Sequence, residues 1–134
     1  MYFRQFFDSR TAAISYLLAD PPNAGAVAID PDPDPCHGLV LKSLLAERKL
    51  ELGLILLTHT HDGSFEDLAE QYPGAGIVAG TRPRQSGRYR AAIDDENFCF
   101  GHERIRVIAT PGHTPFSVSY LWRDRLFCGD ALEL

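Results

Sequence analysis

Leu52-Gly53-Leu54-Ile55-Leu56-Leu57-Thr58-His59-Thr60-His61 sets a short apolar run directly against two histidines. A run of this length fits a strand buried on both faces, and it delivers Thr58, His59 and Thr60 to the loop at its C-terminal end. The arrangement recurs twice. His113 lies in Ala109-Thr110-Pro111-Gly112-His113-Thr114-Pro115, just past an apolar stretch, and Asp130 follows Leu126-Phe127-Cys128-Gly129. Imidazoles and a carboxylate projected from loops beyond apolar strands are the donor types of a metal site. The set suits Zn(II) or Fe(II), and two histidines with one carboxylate and open positions form the ligand set of non-haem iron oxygenases. Metal-dependent catalysis is the leading reading.

Outward from this stretch, helices and strands interleave. Residues 11–19 and 26–30 are apolar runs separated by Asp20-Pro21-Pro22-Asn23-Ala24-Gly25, which predicts a hairpin. Residues 38–50 carry Leu39, Leu41, Leu44, Leu45 and Leu50 at roughly helical spacing, with Lys42, Glu47, Arg48 and Lys49 between them. A second helix is predicted from Ser64 to Tyr72, with Ser64 as N-cap, Asp67 three residues on, and Pro73-Gly74 as the stop. Strands are predicted at 76–79, 104–109, 117–122 and 125–128, the last two joined by Arg123-Asp124. Residues 81–97, rich in arginine and polar side chains, read as irregular. The pattern is that of an α+β layered sheet fold with the site at strand ends, where loops project ligands.

The 134 residues are 45% hydrophobic, enough for one compact domain over 1–134 with its own core and too few for two. A net charge of −5 argues against nucleic acid or an anionic membrane as the main partner. The start resembles neither a signal nor a transit peptide, and no apolar run approaches the roughly 18 residues of a spanning helix. A cytoplasmic protein with no membrane partner is expected. Cys36, Cys99 and Cys128 are odd in number, widely spaced and without a Cys-x-x-Cys pair, which fits reduced thiols.

At the motif residues the sequence resembles the metallo-β-lactamase superfamily, and within it the persulfide dioxygenase and glyoxalase II branch. Thr58-His59-Thr60-His61 is similar to the family's Thr-His-x-His-x-Asp-His motif, Thr110-Pro111-Gly112-His113-Thr114-Pro115 to its second histidine motif, and Gly129-Asp130-Ala131-Leu132 to its aspartate motif. Phe3-Arg4-Gln5-Phe6-Phe7, Tyr16-Leu17-Leu18 and Ile29-Asp30-Pro31 look like the opening of the persulfide dioxygenases. The resemblance implies a metallo-β-lactamase-like αβ/βα sandwich with mixed sheets, here its N-terminal part. After His61 the family places an Asp-His pair for a second metal, whereas this chain reads Asp62-Gly63-Ser64, with residues lost from the loop before Pro73. The sequence ends at Leu134, whereas family members continue with a second half carrying a further ligand histidine and much of the substrate pocket. Both departures fall on the second metal. What the resemblance implies is therefore a mononuclear Fe(II) centre held by His59, His113 and Asp130, acting on glutathione persulfide or a similar thiol.

His61 and Asp62 are the candidate catalytic residues. His61 is alternatively a fourth ligand, a hydrogen-bond partner of a ligand, or a remnant of the two-metal plan. Asp30 either orients a ligand histidine or forms a turn before Pro31. Cys128 either lies near the metal or fills core, and His37 and His102, beside glycines, read as exposed. Arg82, Arg84, Arg88 and Arg90 with Tyr89 read as a solvated loop ahead of an anion-binding one. Two other functions compete with the dioxygenase: a Zn(II)-dependent hydroxyacylglutathione hydrolase or thioesterase, for which one zinc-bound water suffices, and a non-catalytic metal- or partner-binding domain. A homodimer is expected, with the second copy covering an apolar sheet face that a missing half would leave open.

Overall fold

A computed structural model describes residues 2–8, 13–20, 25–32, 34, 38–58, 64–80, 89–109 and 118–128. The first sheet has six strands in sequence order: β1 (Tyr2–Asp8), β2 (Ala13–Asp20), β3 (Gly25–Ile29), β4 (Glu51–Leu56), β5 (Gly76–Ala79) and β6 (Tyr89–Ala91). β1, β2 and β3 pair antiparallel, and from β3 onward every neighbour is parallel. Parallel neighbours need a crossover. Helices α1 (Leu39–Glu47) and α2 (Ser64–Gln71) make the crossovers from β3 to β4 and from β4 to β5. The second sheet is an antiparallel meander of β7 (Asn97–Phe100), β8 (Glu103–Ala109), β9 (Val118–Trp122) and β10 (Arg125–Phe127), in the order β10-β9-β8-β7.

The six-stranded sheet is buried on both faces, which is why its central strands read as unbroken apolar runs. Leu17, Ala28, Ile55 and Ile77 pack with Leu41 and Leu68 of the helices. On the other face Leu18, Val27, Ile29, Leu56 and Val78 meet Phe98, Ile105, Val107 and Tyr120 of the second sheet. The described layers are thus helix, sheet and sheet, the N-terminal part of the sandwich the sequence led us to expect. A bulge at Gly53 adjusts the pattern: Ala26 pairs with Leu52 but Val27 with Leu54. The extra residue lets Leu52 join the helix-side cluster while Leu54 packs on the sheet side.

α1 closes in a Schellman motif, with Leu50 N–H donating to the Leu45 carbonyl (2.8 Å), Lys49 N–H to that of Ala46 (3.2 Å), and Lys49 at φ 56°. Leu50 then turns into the core and β4 begins at once.

Three strands lie where the sequence reading placed none. β1 puts Tyr2 and Phe6 on the helix side and Phe3 on the sheet side, so the aromatic residues do not alternate cleanly. β6 falls inside the stretch read as irregular, because three residues are too few to show a period; its partner β5 supplies the hydrogen bonds. β7 does alternate, with Phe98 and Phe100 inward and Asn97 and Cys99 outward. The outer face of the second sheet is mixed rather than broadly apolar: Arg104 and Arg106 stand exposed beside Ile108, Leu121 and Leu126.

Candidate metal centre

The end of β4 is held from three directions. β3 runs out at Ile29, and Asp30 turns the chain at φ 51°, a left-handed conformation that aspartate tolerates better than most residues. Its N–H donates to the Leu56 carbonyl (3.0 Å), and its carboxylate accepts from the Thr58 N–H (2.8 Å) and the Thr58 hydroxyl (2.6 Å). From within the sheet, Leu57 N–H donates to the Val78 carbonyl (2.8 Å). From the second sheet, the buried Tyr120 hydroxyl donates to the Leu57 carbonyl (2.7 Å), and Val118 N–H donates to the Thr58 carbonyl (3.1 Å). Thr58 is buried as a result.

Three segments outside the described residues are continuous with the strand ends around this edge. Residues 59–63 follow Thr58. Residues 110–117 run between Ala109 and Val118, which face each other in the β8–β9 ladder. Residues 129–134 follow Cys128, beyond the Phe127–Tyr120 pair that seats β10 on β9. The candidates His59, His61, Asp62, His113 and Asp130 all belong to these segments and lie outside the described residues; so do His37, Cys36, Arg82, Arg84 and Arg88. Among the described residues no group of three metal-capable side chains forms. The strand ends that flank the candidate ligands are brought together, and imidazoles with a carboxylate at such an edge fit a divalent first-row metal.

Tyr16 completes the described part of this edge. It pairs with Ile29, its ring centroid lies 4.6 Å from that of Phe127, and its hydroxyl pKa is raised by burial and by the nearby charges of Cys128 and Asp30. It stays a neutral hydrogen-bond donor. Val118 and Tyr120 were not singled out from the sequence, and Thr58 was named only as part of the motif. An inward tyrosine in an otherwise apolar strand was the available signal, since a buried phenol needs a partner. Asp30, proposed from sequence as either orienting residue or turn former, holds the turn and binds the residue before His59.

Cys128 is a free thiol near Tyr16 at this edge. Other residues separate from the edge. Cys99 is an exposed free thiol. His102 is exposed, its N–H bound to the Asp20 carboxylate (2.8 Å). Arg90 pairs with Glu96 and lies over the Phe98 ring at 5.1 Å. A cavity of about 290 Å³ lies at the opposite edge, lined by residues such as Gly25, Glu51, Cys99 and Gly101.

A sandwich with a mixed sheet and two crossover helices is the metallo-β-lactamase fold, and the chain belongs to the metallo-β-lactamase superfamily. Its whole length aligns with ETHE1 from Myxococcus xanthus at 33% identity and a TM-score of 0.83, covering 59% of that chain. A metallo-β-lactamase from Staphylococcus aureus aligns over 92% of the chain at 26% identity and a TM-score of 0.78, covering 39% of that protein. Among curated proteins, the hydroxyacylglutathione hydrolase of Photobacterium profundum is 36% identical over 102 residues, 74% of this chain and 40% of the relative. The chain spans less than half the length of the curated relatives it matches. No family model matches it.

Proposed function

We propose that the chain forms the metal-holding part of a mononuclear Fe(II) sulfur dioxygenase acting on glutathione persulfide or a similar small thiol. The observation that carries this reading is the ligand inventory around β4. Thr58-His59-Thr60-His61 keeps the first part of the family motif, whose Asp and His would next stand at 63 and 64, but those positions are Gly63 and Ser64, and Ser64 already opens α2. The protein groups left are those for one metal. His59, His113 and Asp130 would hold it, and an Fe(II) there supplies positions for a substrate sulfur and for O2. Asp30 and Tyr120 fix the strand end before His59, Tyr16 presents a neutral hydroxyl at the same edge, and His61 and Asp62 stand nearest in sequence to orient substrate or water.

A zinc-dependent hydroxyacylglutathione hydrolase is the second reading, favoured by the curated relatives, which bear that name. Metal analysis of purified protein and of His59→Ala, combined with oxygen-electrode and thioester-cleavage assays, separates the two. About one iron per chain, lost in the variant, with O2 uptake on a persulfide, is expected. One zinc with thioester cleavage and no O2 uptake would favour the hydrolase, and neither metal after supplementation would sink both. The proposal includes a cytoplasmic location and a homodimer in which a second copy covers Ile108, Leu121 and Leu126. A strictly monomeric mass by light scattering would rule out that dimer.

A further inference from the structure

We propose that Tyr120 is a positioning residue for the metal centre, setting the spacing between the segment that begins at His59 and the segment that ends at Val118. The inference rests on the metal-binding reading above and concerns this chain's own packing. Tyr120 has no exposed surface, and its hydroxyl donates to the Leu57 carbonyl at 2.7 Å and reaches that of Val78 at 3.5 Å. Leu57 is two residues before His59. On its own strand, Tyr120 is two residues after Val118, whose N–H holds the Thr58 carbonyl at 3.1 Å.

One side chain therefore ties the exit of β4 in the first sheet to the start of β9 in the second. Phe127 pairs with Tyr120 in the ladder, so the strand leading to Asp130 is registered on the same residue. The strand ends that lead into all three candidate ligand segments meet around this phenol. Apolar contacts between two sheets are non-directional and leave small sliding motions inexpensive. A directed hydrogen bond between the sheets removes that freedom at the point where ligand spacing is decided. Phenylalanine would fill the same volume and keep the core, but it would release the Leu57 carbonyl.

The test compares Tyr120→Phe with Trp122→Phe in the full chain. Trp122 lies at the far end of β9, where its indole N–H donates to the Glu103 carboxylate at 2.9 Å, so its loss weakens the same strand away from the site. Affinity for Zn²⁺ is measured by competition with a chromophoric chelator, alongside thermal unfolding of the metal-free forms. Tyr120→Phe is expected to weaken zinc binding by about 10-fold or more, in the range seen when groups supporting metal ligands are removed, while Trp122→Phe stays within about two-fold of wild type. Equal loss in both variants would overturn the proposal, since it would report general weakening of β9. So would unchanged affinity in Tyr120→Phe. Failure of the wild type itself to bind zinc or iron would instead remove the metal-centre reading, and the positioning role with it.

Discussion

Replacing Asp30 should cost more than any other single change at the candidate site, and the size follows from its bonds. The carboxylate accepts from the Thr58 N–H at 2.8 Å and the Thr58 hydroxyl at 2.6 Å. Hydrogen bonds to a charged group contribute about 1.5–3 kcal/mol each, and a buried donor left without a partner costs about 1–3 kcal/mol. Thr58 is buried, so neither donor is readily rescued by bulk water. Asp30 also sits at φ 51°, where alanine pays roughly 1–2 kcal/mol that aspartate and asparagine partly avoid. Asp30→Ala should therefore destabilise by about 4 kcal/mol. For a chain of this length that lowers the thermal midpoint by roughly 12–16 °C. Asp30→Asn keeps an oxygen for the Thr58 N–H and tolerates the φ, so its loss should be about 1–2 kcal/mol. Unfolding in urea with chelator present keeps metal linkage out of the comparison. A double-mutant cycle with Thr58→Val isolates the hydroxyl bond. An Asp30→Ala loss below about 1 kcal/mol, or no coupling to Thr58, would show that the geometry does not carry the energy assigned to it.

At the opposite edge, Gly101 stands at φ 59°, and a Cβ there would press on the Asp20 side chain that holds His102 N–H. Gly101→Ala should cost more than about 2 kcal/mol, whereas Gly53→Ala, with open space around it, should stay within about 0.5 kcal/mol, as urea midpoints would show. The Glu103 carboxyl is held below its ordinary value of 4.5, first by the hydrogen bond from Arg123 and then by that from Trp122. Its contribution to stability is therefore complete above pH 4.5 and fades as pH falls through the lower folded value. Glu103→Gln should flatten that part of the acid limb in thermal midpoints taken against pH, and an unchanged limb would remove Glu103 as its source.

The elements legible in the sequence are those whose period matches their surroundings. α1 shows one apolar stripe because one face meets the sheet, and β4 and β5 read as continuous apolar runs because both faces are covered. β1 was hidden by the same double burial, since Arg4 and Gln5 interrupt aromatic residues that pack in opposite directions. The Gly53 bulge cannot be read without its partner strand, because the extra residue is defined only by pairing with β3. At the candidate site, the sequence shows the candidate donors and their order but not the bonds that fix the strand end before His59. The Asp30–Thr58 bonds span 28 residues and the Tyr120–Leu57 bond spans 63. Neither leaves a periodic trace.

His102 and the segment holding His113 show what topology adds to a motif. Both histidines follow a glycine in the sequence, and composition alone treats them alike. In an antiparallel meander successive turns fall at opposite ends of the strands. The Gly101-His102 turn joins β7 to β8 beside Asp20 of β2, near the start of β3, whereas Val118, where the chain re-enters the sheet after His113, lies beside Thr58, past the end of β4. In the first sheet β3, β4, β5 and β6 run parallel, so their C-terminal ends share one edge, the edge where open α/β sheets hold ligands. Among the described residues of the second sheet, the start of β9 at Val118 lies against that edge, bonded to Thr58, and β10 runs toward it from the Arg125–Trp122 pair to the Phe127–Tyr120 pair. The strand ends that lead toward His113 and Asp130 thus lie on the side of the C-terminal end of β4, while the turns at Gly101-His102 and Arg123-Asp124 lie a strand length away.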